Sequence, residues 1–535
     1  MWNARPRPAI MSKSESRWAL LWAVVVVGLT CLPYLAALWL APDGTQYTGL
    51  LVNPKDGETY FAKMQQGARG DWLFYLPFTP EPHQGVFVNT FYLALGHLSA
   101  LLRLPIPLVY HLARALAGLF LLLVAYRFIA RCFEQVRTRR VAFLLLAFSA
   151  GLGWLMAPLG LITADMWVVE GFTFLSILVN PHFPLAIGLM LLIFLQVLRW
   201  QATNGERQIT GNTTLWWPAL KCAGLGLALA VVQPFAVPIA LAILTAYLAA
   251  LTWRSRRLRW REVLLTGATA LAAAPVIIYD FYVYRTNPAM TALVTQDVNP
   301  SLPPWNYALS YGLILVLAIA GTPAAVRRRQ PADLLVLSWL AASVVLLYVP
   351  STVQRRFITG LHVPLVILAA RGLEQVVLPR LAERRRALVT GLIVGLSTLT
   401  IVFVPLVAVA GVAQGRAPLV MSAGEAAACS WLKASTRWTD TVLAPVETGQ
   451  FIPAWAGNRV VYGHPLETID ANTKEAEVSR FYSPDATIAE RRALLEHYSV
   501  RYVFLNAGDL DAAALGLLLA WTDGDAILYQ VEARP

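Results

Sequence analysis

The chain has 535 residues, 57% of them hydrophobic and 14% charged. So little charge over such a length excludes an ordinary soluble enzyme, and the repeated apolar runs of spanning length mark a polytopic membrane protein. The formal charge of +12 is not one nucleic-acid-binding patch. It recurs in clusters between the apolar runs, at Arg137, Arg139 and Arg140, at Arg254, Arg256, Arg257 and Arg259, at Arg327, Arg328 and Arg329, and at Arg384, Arg385 and Arg386. Basic cytoplasmic loops produce this pattern. The cysteines Cys31, Cys132, Cys222 and Cys429 are scattered, with neither metal nor disulfide spacing.

A basic N-terminal tail (Arg5, Arg7, Lys13, Arg17) precedes an apolar run at 18–41. No small-residue cleavage site follows that run, so it is expected to stay as a helix that crosses outward from a cytoplasmic N-terminus. Further spans are expected at 105–130, 141–160, 174–198, 215–232, 234–253, 262–283, 306–326, 332–349, 357–379 and 387–411. That makes about eleven, with Gln233-Pro234 dividing a stretch too long for one crossing. Alternate counting puts every arginine cluster inside, in a multi-pass protein of the cell membrane. It leaves 42–104, 161–173, 284–305, 350–356 and everything after 412 outside.

Within 42–104, helices are expected at 57–69 and 87–102, the latter with Phe87, Phe91, Leu95 and Leu98 at helical spacing. Pro82 and Pro105 bound this short segment, which is read as interfacial; a spanning helix there is the rival, and would invert the later topology. Charge returns after Leu419. The division expected is a transmembrane domain over 1–419, including the loop 42–104, and an extracytoplasmic α/β domain over 420–535. In the latter, strands are expected at 441–446, 459–462 and 501–505, and helices at 423–433, 488–498 and 512–521.

Asp56-Gly57-Glu58 lies just beyond the first span. In an extended or turn segment both carboxylates can point the same way, one taking a proton from an acceptor hydroxyl while the other positions it or binds a cation. Asp56 can equally cap a helix beginning near Gly57, with Glu58 in its first turn. Gln354-Arg355-Arg356-Phe357 is a second site, because topology puts this arginine pair outside, against the charge bias. A guanidinium fork suits a phosphate; snorkelling to headgroups is the plainer alternative. Arg285 at a helix end is a weaker phosphate candidate. Arg114, about two turns inside its span, calls for a partner such as an external carboxylate.

Asp56-x-Glu58 leads into Tyr60 and Phe61, then Gly70-Asp71-Trp72, a proline-rich stretch, a helix ending near Leu104 and a span over 110–131. This order resembles the start of the GT-C superfamily of integral-membrane glycosyltransferases, nearest the protein O-mannosyltransferases and the lipid A aminoarabinose transferases. The resemblance covers roughly 18–411 and implies a polytopic α-helical fold and an inverting transfer. The donor it implies is a sugar on polyprenyl phosphate; the acceptor is a lipid, glycan or protein. It assigns the base to Asp56 or Glu58, although many relatives have two adjacent acidic residues where Gly57 intervenes here. It assigns the lipid phosphate to the basic residue at Arg355 or Arg356. Relatives often carry another acidic residue where this chain has Val179-Asn180-Pro181-His182-Phe183. Asn180 or His182, or Asp165 and Glu170 in the preceding loop, are the candidates to replace it, and a divalent cation stays open as the one cofactor. Tyr60, His83, Gln354, Glu447 and His464 complete the candidate cavity residues, the last two in loops at strand ends that suit acceptor contact. Membrane lipids are expected partners, and nucleic acid is not. The alternatives kept open are a non-catalytic scaffold of this type and a lipid or glycan transporter.

Overall fold

The computed structural model describes residues 11–203, 216–506 and 510–532; Arg5 and Arg7 of the basic tail lie outside them. Nine of the described helices are long and apolar enough to cross a membrane: Lys13–Leu40, Ile106–Cys132, Val136–Leu159, His182–Arg199, Ala236–Ser255, Trp260–Thr286, Pro304–Arg328, His362–Arg380 and Glu383–Ala413. Trp216–Val232 and Pro331–Leu346 are apolar helices of 17 and 16 residues. Together they account for the spans expected, and the chain is a multi-pass membrane protein. Thr90–Leu102 has only 13 residues, about 20 Å of helix against about 30 Å of hydrocarbon, too short to cross. It starts at Thr90 and not at Phe87 because Asn89 takes a left-handed conformation (φ 56°).

Two expected spans are interrupted. The run 174–198 breaks into Thr173–Val179 and His182–Thr203, with Asn180 extended at φ −147° and ψ 163°. Pro181 disfavours a helical residue before it, which explains the break. The run 141–160 breaks after Phe148, where Gly151 packs so tightly that a Cβ would lie 2.2 Å from the Leu309 carbonyl oxygen. The helix Pro304–Arg328 is itself kinked at Gly312 (φ 45°), and these two glycines face each other: a Cβ on Gly312 would lie 3.3 Å from Gly151 Cα.

The chain forms two compact units. The first comprises Met1–Pro33, His111–Ile278 and Asn299–Leu406; the second comprises Tyr34–Tyr110, Tyr279–Val298 and Val407–Pro535. In the first, Pro304–Arg328 and His362–Gly372 approach through glycines. A Cβ on Gly321 would fall 2.0 Å from the Leu368 carbonyl oxygen, and one on Gly372 2.0 Å from that of Leu317, the small-residue packing that brings membrane helices close. Buried arginines also have structural partners here. Arg139, 2% exposed, pairs with Glu15 at 2.9 Å, and Arg371 pairs with Asp333.

In the second unit, Pro54–Arg69 and Thr90–Leu102 pack through Gly67 and Gly96, each leaving 2.0 Å between an added Cβ and a carbonyl oxygen of the other helix. The strands are β1 Thr45–Tyr47, β2 Val420–Ser422, β3 Thr441–Leu443, β4 Arg459–Val460, β5 Val500–Asn506, β6 Leu517–Asp523 and β7 Ala526–Val531. β1 and β2 form an antiparallel ribbon, Thr45 opposite Ser422 and Tyr47 opposite Val420. The other five form a sheet in the order β4-β3-β5-β7-β6, parallel across β4, β3 and β5 and antiparallel beyond. The helix Ala423–Ser435 starts from a Ser422/Glu425 capping box, and its Cys429 and Leu432 pack with Val442 and Phe504 on one sheet face. Val478, Phe481 and Leu495 cover the other with Leu443 and Val503. The helix expected over 512–521 ends at Leu515, and a hairpin replaces the rest, turning at Gly524 (φ 58°). Left-handed turn residues there favour a hairpin over a continuing helix.

Candidate active site

Asn53 in a left-handed conformation (φ 49°) followed by Pro54 starts the helix Pro54–Arg69, and Asp56 stands in its first turn, where the helix dipole favours a negative charge. The expectation that both carboxylates face the same way fails for this reason. On a helix, residues two apart diverge by about 200°. The Asp56 side chain is 53% exposed, whereas Glu58 is 0% exposed. Neither Glu58 oxygen accepts a well-formed hydrogen bond. Burial holds its carboxyl well above the usual carboxylate range, only partly opposed by the nearby Trp455 indole. Glu58 is therefore disposed to be a neutral acid in the core, and Asp56 a surface carboxylate. A Cβ on the intervening Gly57 would run into Leu50 at 2.5 Å.

His464 comes to Asp56 from the loop after β4. Its Nδ1 accepts the backbone N–H groups of Leu466 and Glu467, each at 3.1 Å. The ring proton of the neutral imidazole therefore sits on Nε2. That Nε2 lies 3.7 Å from Asp56 Oδ1, just beyond hydrogen-bonding distance, while the imidazole is 3% exposed. The loop is braced from several sides. Gly463 and His464 donate backbone N–H groups to Thr468 Oγ1 (3.3 and 3.1 Å), and Gln296 Nε2 donates to the Leu466 carbonyl at 3.0 Å. Lys63, on the same helix as Asp56, pairs with Glu467 at 2.6 Å and donates to Thr59 Oγ1 at 3.1 Å. The two strand-end loops singled out in the sequence meet here, since a Cβ on Gly449 would lie 2.3 Å from the Tyr462 carbonyl oxygen. Glu447 is exposed at the edge of that contact.

The other second-unit candidates have mostly local roles. Tyr60 stacks on Tyr92, centroids 4.5 Å apart. His83 Nε2 accepts from the Leu76 N–H at 2.8 Å and Nδ1 donates to the Glu81 carbonyl at 2.8 Å, so the ring ties the loop 76–83 together. Its pKa is lowered, chiefly by burial. The Arg285 guanidinium lies over the Phe281 ring at 4.7 Å.

In the first unit, Arg355 lies over the Trp167 ring at 4.4 Å, and its guanidinium and backbone N–H both donate to Asn299. Arg356 lies over the Phe235 ring at 5.0 Å. Gln354 is taken up in the turn, accepting from the Ser301 N–H at 3.2 Å and donating to the Val349 carbonyl at 2.9 Å. Asp165, 0% exposed, accepts from the Gly151 and Gly153 N–H groups at 3.0 Å each and from Thr163 Oγ1 at 2.6 Å. It thereby supplies the acceptor for the backbone broken at 149–152. Burial raises its pKa against those bonds. Glu170 and His182 are buried, His182 against Phe183 at 4.1 Å. Asn180 Oδ1 is enclosed without a hydrogen bond. Arg114, 1% exposed, donates to Thr30 Oγ1 (3.1 Å), the Ile177 carbonyl (2.8 Å) and His111 Nδ1 (3.3 Å), so the neighbours it finds include neutral acceptors.

Among the described residues, no three His, Cys, Asp or Glu side chains gather as a metal-holding group. Asp56 and His464 do not fit a cation either, since the Nε2 facing the carboxylate carries a proton and no lone pair. Lys63, Glu467 and Trp455 were not anticipated from the sequence. Their roles depend on contacts between segments as far as 404 positions apart, and only the buried face of the helix Pro54–Arg69 hints at them.

No family model matches the chain, and no curated protein matches it by sequence. Solved structures do match. ArnT from Cupriavidus metallidurans bound to undecaprenyl phosphate is similar over 95% of this chain and 97% of its own, with a TM-score of 0.53 at 14% identity. The oligosaccharyltransferase of Archaeoglobus fulgidus tethered with an acceptor peptide is similar over 91% of this chain and 69% of its own, with a TM-score of 0.50 at 17% identity. The mycobacterial arabinofuranosyltransferase AftD is similar over 96% of this chain but 42% of its own, with a TM-score of 0.51 at 16% identity. The chain has the fold of the GT-C membrane glycosyltransferases.

Proposed function

We propose that the protein is an inverting glycosyltransferase that moves a sugar from a polyprenyl-phosphate carrier to an extracytoplasmic acceptor, with Asp56 as the general base. In this reading the acceptor hydroxyl attacks the anomeric carbon from the face opposite the phosphate and gives its proton to Asp56. The bond between the anomeric carbon and the phosphate oxygen breaks, and polyprenyl phosphate leaves with the bonding pair. Arg355 and Arg356 take the donor phosphate, where charge-assisted hydrogen bonds to the leaving group strengthen as its charge develops. His464 is a positioning residue, holding an N–H towards the Asp56 carboxylate and limiting its rotamers. Glu58 has no part in proton transfer.

The observation that carries this reading is the divergence of the two acidic side chains: one carboxylate exposed in the first turn of a helix, the other enclosed and without a well-formed hydrogen bond. Lipid-linked carriers fit the same reading, since one fold neighbour holds undecaprenyl phosphate. The test is transfer from polyprenyl-phosphate sugars by the purified chain, compared among wild type, D56N and E58Q. Loss in D56N alone supports it, and loss in E58Q alone would move the base to Glu58.

A further inference from the structure

A cavity of about 270 Å³ in the first unit is lined by Arg137, Thr138 and Val141 from the start of one helix, by Leu373 and Glu374, and by Arg386. Leu373 and Glu374 belong to a π-helical turn, Leu373–Val377, a form found mostly as local bulges and often at functional sites. The turn closes the span His362–Arg380. Arg355 and Arg356 precede the other end of that span, whose α-helical part His362–Gly372 rises about 17 Å. The cavity therefore lies towards the opposite end of that span from the arginine pair given to the donor.

Its charges differ from those around it. Arg139 and Arg371, in the neighbouring sequence, are buried and neutralised by Glu15 and Asp333, and Arg328 pairs with Glu134 at 3.3 Å. Arg137 and Arg386 have no carboxylate partner among the described residues. Arg386 Nε is engaged by the Leu381 carbonyl at 3.3 Å, which fixes the guanidinium and leaves its terminal N–H groups available. Thr138 donates to Glu374 Oε1 at 2.6 Å, which holds this carboxylate of the cavity to one wall. Two available guanidinia beside the apolar Val141 and Leu373 are complementary to a phosphate that carries hydrocarbon, and they sit where spanning helices meet the interface.

We propose that this cavity binds the phosphate head group of an anionic glycerophospholipid, at a site separate from that of the sugar donor. Arg137 and Arg386 hold the phosphate oxygens, and Val141 and Leu373 pack against the glycerol and the first acyl methylenes.

The full-length protein in detergent, titrated with phosphatidylglycerol and followed by native mass spectrometry, tests this, with phosphatidylcholine and inorganic phosphate as separate arms. R137Q and R386Q should each weaken retention of phosphatidylglycerol, the pair by roughly tenfold or more. R384Q, an exposed arginine that does not line the cavity, should leave it unchanged. Equal weakening by R384Q would reduce the effect to general surface charge and overturn the proposal. Competition by inorganic phosphate at concentrations equal to the lipid would overturn the lipid assignment. If R386Q fails to fold, R137Q carries the test, because Arg137 is exposed. Loss of sugar transfer in D56N bears on the donor reaction alone and leaves this result independent.

Discussion

His464 Nε2 lies 3.7 Å from Asp56 Oδ1, and the two backbone N–H groups on Nδ1 compel the imidazole to present its proton to that carboxylate. A buried ring on a braced loop thereby faces a carboxylate that is half exposed. H464A should lower kcat by about twofold to tenfold, the scale of a single polar contact short of a hydrogen bond to a charged group, while KM for the acceptor stays within about twofold. H464N, which keeps an N–H donor, should recover part of the loss. Parallel steady-state kinetics of the three proteins would check this, and a rise in KM with kcat unchanged would instead make His464 an acceptor-binding residue.

Glu58 makes a pH prediction. Its folded-state pKa is raised above the ordinary value of 4.5 by burial. The folded chain thus holds this proton more tightly than the unfolded chain. The stability linked to it is fully present below the unfolded pKa and falls as pH rises from there towards the folded pKa. E58M removes the titrating group and keeps the volume. The thermal midpoint of wild type minus that of E58M should decline from pH 4.5 upward. A difference that is flat, or that grows with pH, would show that Glu58 is charged in the folded chain.

The Lys63–Glu467 pair, with side chains 5% and 16% exposed, ties the helix of Asp56 to the loop of His464. K63M should cost about 3 kcal/mol, because it strands a largely buried carboxylate, and K63M/E467M should cost less than the single change. Transfer should fall with K63M as the loop loosens. Denaturant unfolding of the four proteins in a cycle measures the coupling.

The spans are legible in the sequence because membrane helices need about twenty apolar residues, and because arginine clusters punctuate them. The strand expected at 501–505 is legible from its β-branched and aromatic run and that at 441–446 only as far as Leu443, whereas 512–521 deceives by its alanines and leucines until Gly524 turns the chain. At the site, the acidic motif is visible but its geometry is not. Divergence of Asp56 and Glu58 depends on where the helix begins, which the left-handed Asn53 decides. The pairing with His464 depends on the sheet domain delivering a loop from far along the chain. Asp165 looks like a cavity carboxylate in the sequence because nothing there reveals the two glycine N–H groups that it satisfies.

Arg355 is held by Asn299 and Trp167, and Arg356 sits over Phe235. A planar fork so restrained is poorly replaced by an ammonium group. R355K and R356K should therefore raise KM for the lipid-linked donor, by about tenfold for whichever arginine meets the phosphate, with acceptor KM unchanged. Donor titrations at saturating acceptor distinguish the two. No change in either variant would remove the phosphate from this turn.

The most direct measurement is sugar transfer by the purified full chain from polyprenyl-phosphate-linked sugars, comparing wild type, D56N and E58Q, each shown to be folded. D56N should lose about 10²-fold or more, the scale of general-base catalysis, with transfer retained in E58Q. Transfer undiminished in D56N would contradict Asp56 as the general base.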